Sequence, residues 1–218
     1  MSATTLPMAE SGFVVRDLIA VIRENRDYLS EIDAAIGDGD HGINMSKGFS
    51  QCAERLDRDG DADLPRAFNT LADVLMDDIG GSMGPLYGSF FASFGETFNG
   101  HDLLDAALFG RALRSGLEAI EDLGEAKVGD KTLVDTLEPA TAAFEFAVAS
   151  NADFSTALQR MSEAAERGKD STKDMQARVG RAARLGERSI GIVDAGATSC
   201  FLILLSMSRS ISAKLKAP

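Results

Sequence analysis

Tryptophan is absent from the chain, and cysteine, histidine and tyrosine each occur only twice. Cys52 and Cys200 lie far apart in apolar helical stretches, without metal-ligand spacing. That excludes a zinc site or a disulfide framework and leaves two buried, reduced thiols. Basic residues are in deficit: 22 Lys and Arg face 34 Asp and Glu, for a formal charge of -12 and a pI near 4.6. No basic stripe exists to replace phosphate counterions, which excludes nucleic acid as a partner. Long apolar runs are missing too. The longest, residues 200–205, is far too short to cross a bilayer, and the opening MSATTLPMAESG has neither the basic nor the apolar region of a signal peptide. These absences predict a soluble cytoplasmic protein with no membrane partner. The common nucleotide signatures are also lacking: no G-x-x-x-x-G-K-[ST], no H-R-D and no D-F-G.

What the chain does have is helical periodicity. Val14, Val15, Leu18, Ile19, Val21 and Ile22 make one stripe that continues to Leu29 and Ile32. Further helices are predicted over 44–56, 64–79, 85–98, 103–123, 131–150, 154–168 and 196–216, with Pro65 suited to an opening turn. Aromatics are only 6%, strand alternation is hard to find, and no repeat or low-complexity linker divides the chain. The prediction is therefore all-α: one domain over residues 1–218, a bundle of about eight amphipathic helices with its glycine-marked joints gathered at the ends.

Four of those joints carry chemistry. Residues 33–44 read D-A-A-I-G-D-G-D-H-G-I-N, with Asp33, Asp38 and Asp40 crowded beside His41. Two carboxylates about 5 Å apart repel by roughly 3 kcal/mol at an effective dielectric near 20. A hard divalent cation relieves that cost, and Mg²⁺ prefers carboxylates supplemented by phosphate oxygens and water. The second joint, G-G-S-M-G-P at 80–85, precedes a helix and so is suited to an anion as well as to simple capping. The third, G-E-A-K-V-G-D-K-T-L-V-D at 124–135, reads as a helix start with Asp130 as N-cap. The fourth, 180–196, sets Arg181, Arg184 and Arg188 among glycines, where they can pair with surface acids or grip phosphate bidentately. An acidic cluster combined with several glycine-marked helix starts points to a nucleotide held through Mg²⁺.

The segments G-D-G-D-H-G-I-N-M at 37–45, G-G-S-M-G-P-L-Y-G at 80–88, G-D-K-T-L-V-D at 129–135 and L-G-E-R-S-I-G…D-A-G-A-T-S at 185–199 resemble, in order, the motifs of the nucleotide-binding L subunits of dihydroxyacetone kinases. The resemblance covers nearly the whole chain. It implies a closed barrel of eight antiparallel helices with ADP or ATP at one end. It also implies two Mg²⁺ ions on Asp33, Asp38 and Asp40, and phosphate- and ribose-side contacts from His41, Gly42, Ile43 and Asn44. Gly81, Ser82, Met83, Gly124, Leu133, Arg181, Asp194, Ala195 and Gly196 would surround the nucleotide, with Leu133 as an apolar wall for the adenine. No residue of this chain is expected to act as a catalytic base. The implied partners are a ketose-binding K subunit and a phosphotransferase-system phosphoryl donor, unless ATP is the donor. Two departures stand out. Met83 replaces a serine common in the family, leaving Ser82 as the hydroxyl at that turn, and Ala195 replaces the proline of Asp-Pro-Gly, which removes a φ constraint. Two other readings compete: a nucleotide-loaded regulatory module for another protein, and a metal-dependent phosphohydrolase, for which extra histidine ligands are scarce because only His41 and His101 exist.

Overall fold

The computed structural model describes residues 4–60 and 62–215. Among them run α1 (Phe13–Glu24), α2 (Arg26–Ile36), α3 (His41–Asp59), α4 (Leu64–Asp78), α5 (Met83–Phe98), α6 (Ala106–Gly124), α7 (Val134–Ala149), α8 (Phe154–Ser171) and α9 (Ala195–Leu215). Two short strands, β1 (Leu6–Pro7) and β2 (Leu103–Leu104), pair antiparallel and tie the segment before α1 to the one before α6.

The periodic stripe from Val14 to Ile32 is two helices rather than one. Asn25 leaves helical geometry (φ -99°, ψ 10°), and its side-chain amide donates to the Val21 carbonyl at 2.8 Å. An asparagine offering the backbone such a local alternative is a physical reason for the break. Because α1 and α2 both lie along α3, they act as one kinked stave, so nine helices make eight staves. Each stave packs against the next, and α9 packs against α1, which closes the ring.

Phenylalanine fills the inside. Phe68, Phe90, Phe91, Phe94, Phe98, Phe109, Phe144 and Phe154 are buried and linked in stacked, tilted or edge-to-face pairs, with centroids 5.0–6.2 Å apart. Rings stacked in this way contribute beyond their buried area, and they supply the bulk that the missing tryptophans do not. Cys52 and Cys200 are buried as expected and unbridged, and burial pushes the Cys52 thiol up to about 12. Helix α9 is the one described helix long and apolar enough to cross a membrane, but 67% of that window is buried inside the ring.

Several boundaries shift from the periodicity alone. Helix α5 opens at Met83, so Pro85 sits in the first turn, where its missing N–H costs nothing. Helix α6 begins only at Ala106, because Leu103 and Leu104 are strand and Asp105 caps the helix. Helix α7 begins at Val134 instead of 131, because Lys131 takes φ 64°. Lys216 lies outside the described residues.

Pro139 inside α7 leaves the Asp135 carbonyl without its helical donor, and α8 comes closest there: a Cβ on Gly168 would stand 2.2 Å from that oxygen. Alanine is the better helix former by about 1 kcal/mol, but a backbone oxygen cannot step aside. Gly168→Ala is expected to destabilise the fold by roughly 1–3 kcal/mol, read as a lower midpoint in urea with an unchanged slope.

Candidate metal and phosphate site

Alternating helix direction sorts the termini between the two ends of the ring. At one end start α1, α4, α6 and α8; α1 has no side-chain cap, and the other three are each closed by an aspartate: Asp63 accepts from the Arg66 N–H at 2.9 Å, Asp105 from Leu108 at 2.7 Å and Asp153 from Thr156 at 2.7 Å. At the other end start α3, α5, α7 and α9. Asp40, Ser82 and Leu133 occupy the first three cap positions, and none makes a side-chain capping bond. Donors left uncapped at a helix start, backed by the positive pole of the macrodipole, are what a phosphate group requires. Gly81, at φ 77°, leaves the space beside its backbone open, since an added Cβ there would meet nothing within 4 Å.

The same end carries the acidic cluster. Asp33 belongs to the last turn of α2, whereas Asp38 and Asp40 lie in the short connection to α3. One oxygen from each of the three carboxylates falls within 4.8 Å of the others, and no other such group of His, Cys, Asp and Glu occurs among the described residues. Gly42 makes the convergence possible: a Cβ there would stand 2.0 Å from the Arg26 carbonyl oxygen, so α3 can lie this close to α2 only with glycine. Arg181, arriving from the segment between α8 and α9, hydrogen-bonds the Asp38 carboxylate and stands 3.6 Å from that of Asp40. Desolvation works to raise both carboxyls. The Arg181 guanidinium outweighs it at Asp38, which ends below its usual value, whereas the neighbouring Asp38 charge adds to it at Asp40, which ends above. The three are hard oxygen ligands of partial exposure, a donor set that fits Mg²⁺ better than a soft metal.

Around this cluster the described side chains interlock. The His41 backbone N–H reaches the Asp33 carboxylate at 3.3 Å, and its Nε2 meets the Ser199 hydroxyl at 2.9 Å. Ser199 in turn contacts the Tyr87 hydroxyl at 2.7 Å, and Tyr87 donates to the Gly196 carbonyl. The chain of contacts joins α3, α9 and α5 and orients the imidazole; burial lowers its pKa against the pull of Asp33. Asp194 caps α9, accepting from Ala197 N–H at 2.8 Å. Leu133 is buried, its Cβ 3.6 Å from where a Cβ on Gly196 would sit.

The structure thus brings Asp33, Asp38, Asp40, His41, Arg181, Asp194, Gly196 and Leu133 to one end, with the Gly81–Ser82–Met83 turn and Gly124 at helix termini of that same end. Ile43 is exposed, one turn into α3. The reading of Asp130 as the cap of α7 is wrong. Leu133 occupies the cap position, Asp130 accepts from the Lys127 N–H, and it is Asp135 that ties the turn by accepting from the Gly129 and Thr132 N–H groups at 2.6 and 2.7 Å. Tyr87 and Ser199 lay inside the recognised motifs, but nothing in their spacing marks them as partners of His41. Two clefts of about 370 and 580 Å³ open at the capped end, and His101 lines the second. That puts the second histidine at the far end from the carboxylates, so it cannot complete a hydrolase metal site there.

Comparison with known proteins assigns the chain to a family. The DAK2 domain matches residues 35–209. The chain is 37% identical over 186 residues to the PEP-dependent dihydroxyacetone kinase 1 ADP-binding subunit of Listeria innocua, covering 85% of this chain and 88% of that one. Against the corresponding Escherichia coli subunit it is 36% identical, covering 82% and 85%. The chain belongs to the DAK2 family. A crystal structure of the dihydroxyacetone kinase of C. freundii with AMP-PNP and Mg²⁺ superposes with a TM-score of 0.70 at 25% identity over 94% of the chain. The chain spans only about a third (35%) of that larger kinase.

Asp194 makes the electrostatics testable. Burial pushes its carboxyl up to about 6, against the relief from the Ala197 N–H and from Lys131. A carboxyl raised above its unfolded value of about 3.9 contributes stability that is complete below that value and lost as pH rises through 6. Asn is an equally good cap but cannot titrate. In metal-free buffer, wild type is expected to lose thermal stability relative to Asp194→Asn as pH climbs from 4 to 7; parallel melting curves would remove the titration from Asp194.

Proposed function

We propose that this chain is the nucleotide-binding subunit of a kinase for dihydroxyacetone or a similar short ketose, presenting a phosphoryl group to a sugar held on a separate subunit. The observation that carries this reading is the convergence of Asp33, Asp38 and Asp40 within 4.8 Å at the end of the ring where α3 and α5 start without a capping side chain at their cap positions. A metal–nucleotide complex is positive at its ions and negative at its phosphates, and this end offers a partner for each. On this reading Asp33, Asp38 and Asp40 hold two Mg²⁺ ions, and ADP or ATP is the cofactor. His41 to Asn44 and the Gly81–Ser82–Met83 turn face the phosphates, Arg181 grips them, and Leu133, Gly124 and the Asp194–Ala195–Gly196 turn line the nucleoside. The relatives matched over most of their length are ADP-binding subunits of PEP-dependent kinases, which favours a resident ADP rephosphorylated by a phosphotransferase-system protein. The whole chain is then one functional unit acting in the cytoplasm.

When bound, Mg²⁺ neutralises the charge that builds on the transferring phosphoryl group. The chain's own residues supply the rest. The carboxylates fix the position of that charge, helix-start N–H groups orient the phosphate oxygens, and the Tyr87–Ser199–His41 chain of contacts holds the imidazole still. None of them needs to take a proton. The hydroxyl that attacks belongs to the ketose and is positioned by the partner, since phosphoryl transfer depends mostly on alignment and charge.

Asp38→Asn is expected to weaken Mg²⁺-dependent ADP binding at least ~100-fold, with the helical circular dichroism unchanged. Equal affinity by calorimetry would sink the metal assignment. Arg181→Lys keeps the charge but loses the fork, for a loss of about tenfold; a silent substitution would return Arg181 to the role of a surface ion pair. With ATP, or with a phosphotransferase-system donor, ketose phosphorylation should appear only on mixing with a K subunit. Turnover by the isolated chain contradicts the division of labour, and ketose-independent phosphate release would mean a hydrolase.

A further inference from the structure

The segment from Thr172 to Asp194 carries Arg181 and contains no α-helix, only two 3₁₀ stretches, Thr172–Asp174 and Ala182–Ser189. Three of its residues, Gly180, Gly186 and Gly191, take positive φ. A connection this long without regular structure is ordered only if something holds it. Lys131 is at its centre. The side chain is almost fully buried, at 2% exposure. Its three N–H groups are shared among four main-chain carbonyls, those of Thr172 at 2.8 Å, Met175 at 3.2 Å, Ser189 at 2.7 Å and Ile192 at 2.6 Å. Among the described residues no carboxylate forms an ion pair with it, so carbonyl dipoles are its direct partners, while Asp194 and Asp174 act on the charge from further off. Lys131 itself takes φ 64°, a conformation a non-glycine residue keeps only where its surroundings enforce it. Asp135 enforces it by binding the N–H groups of Gly129 and Thr132 on either side. Two further ties run from the same turn: the Arg178 N–H donates to the Asp130 carbonyl at 3.1 Å, and its guanidinium stands 3.9 Å from the Asp130 carboxylate.

We propose that Lys131 is the positioning residue of the Arg181 segment: its ammonium, ringed by four carbonyls as a bound monovalent cation would be, pins residues 172–192 so that Arg181 stands over the acidic cluster. Arg181 lies six residues past Met175 and eight before Ser189, and both of those carbonyls are on the ammonium. Release of the pin frees the arginine while leaving the carboxylates untouched. A neutral side chain leaves the Met175, Ser189 and Ile192 carbonyls without this donor and Thr172 with the Met175 N–H alone, a desolvation cost that the segment can recover only by opening to water. The step from positioning to nucleotide affinity rests on the assignment of Arg181 to phosphate; the pinning of the segment does not.

The test uses the full chain with Lys131→Met and Lys131→Ala. Hydrogen exchange of amides 176–192, measured without nucleotide, is expected to speed up at least about tenfold in both variants while amides of α4, α5 and α6 keep their protection. Unchanged exchange would overturn the pin, whatever the protein binds. Magnesium ADP should bind about tenfold more weakly to each variant, and adding Arg181→Lys should cost little more, because the two residues act through one contact. Full additivity would overturn the link to Arg181, whereas failure of the wild type itself to bind magnesium ADP would count against the proposed function and leave the exchange result standing. Propylammonium replaces the atoms missing from Lys131→Ala and should restore protection and affinity together, with tetramethylammonium at equal ionic strength inactive. Rescue by neither, or by both equally, speaks against a directed ammonium site. Should neither variant fold, the wild type still decides: Lys131 should show a slowly exchanging ammonium resonance in ¹⁵N spectra, and its absence defeats the proposal.

Discussion

Three carboxylates within 4.8 Å of one another are the constraint from which the rest of this end of the molecule follows. Their repulsion is compounded by location. Asp33 is in the last turn of α2, where the helix macrodipole is already negative, and only Asp40, at the cap position of α3, gains from a positive pole. In a chain with a formal charge of -12 no general excess of cations offsets this. The answer is local: one arginine brought across from a distant segment, and a donor set open to a divalent ion. The opposite directions in which Asp38 and Asp40 shift show how unevenly a single guanidinium satisfies such a cluster.

The antiparallel ring turns that local problem into a site. Because neighbouring staves run in opposite directions, the end that carries the carboxylates presents helix starts from α3, α5, α7 and α9, interleaved with helix ends from α2, α4, α6 and α8. Positive and negative poles therefore alternate around one rim. Neither a bare anion nor a bare cation suits such a rim as well as a complex of both, whose charges are separated by a few ångströms. At the opposite end three helix starts are closed by Asp63, Asp105 and Asp153. Three of the four starts there are capped by aspartate, against only the Asp194 cap of α9 at the carboxylate end.

Much of this was legible in the residues, for reasons that can be named. Helical periodicity survives in sequence because each stave buries one stripe, and Asp33, Asp38 and Asp40 are conspicuous because no core or cap needs three carboxylates so close. The break at Asn25 was not legible, since the apolar stripe runs across it and only a side chain-to-carbonyl bond ends the helix. The start of α7 was misread for a similar reason: Asp130 and Asp135 are equally plausible caps, and the choice depends on Lys131 taking a positive φ that no local preference predicts. The partners of Lys131 are 41 to 61 residues away and are all backbone carbonyls, so no pattern of residue types records them. Ser199 and Tyr87 escape in the same way, because their roles exist only once α3, α5 and α9 meet.

The openness of the cluster carries the last step. Asp38 is exposed, Asp33 and Asp40 are only half-buried, and the Gly81 turn beside them faces open space. Phosphoryl transfer in such a setting competes with water, and enzymes that transfer phosphate to a sugar exclude water by closing over the reacting groups. This chain has no described segment long and loose enough to fold over the rim as a lid. The longest irregular stretch, 172–194, is fastened from within by Lys131 and joined to the start of α9 through the bond from Asp194 N–H to Thr172. On the proposed reading closure comes from outside, from the partner surface that brings the sugar. On that reading, too, a phosphoryl group held on the isolated chain has solvent as its one acceptor, and nothing at the open rim excludes it. The partner of that proposal supplies the hydroxyl and the dry wall in the same encounter.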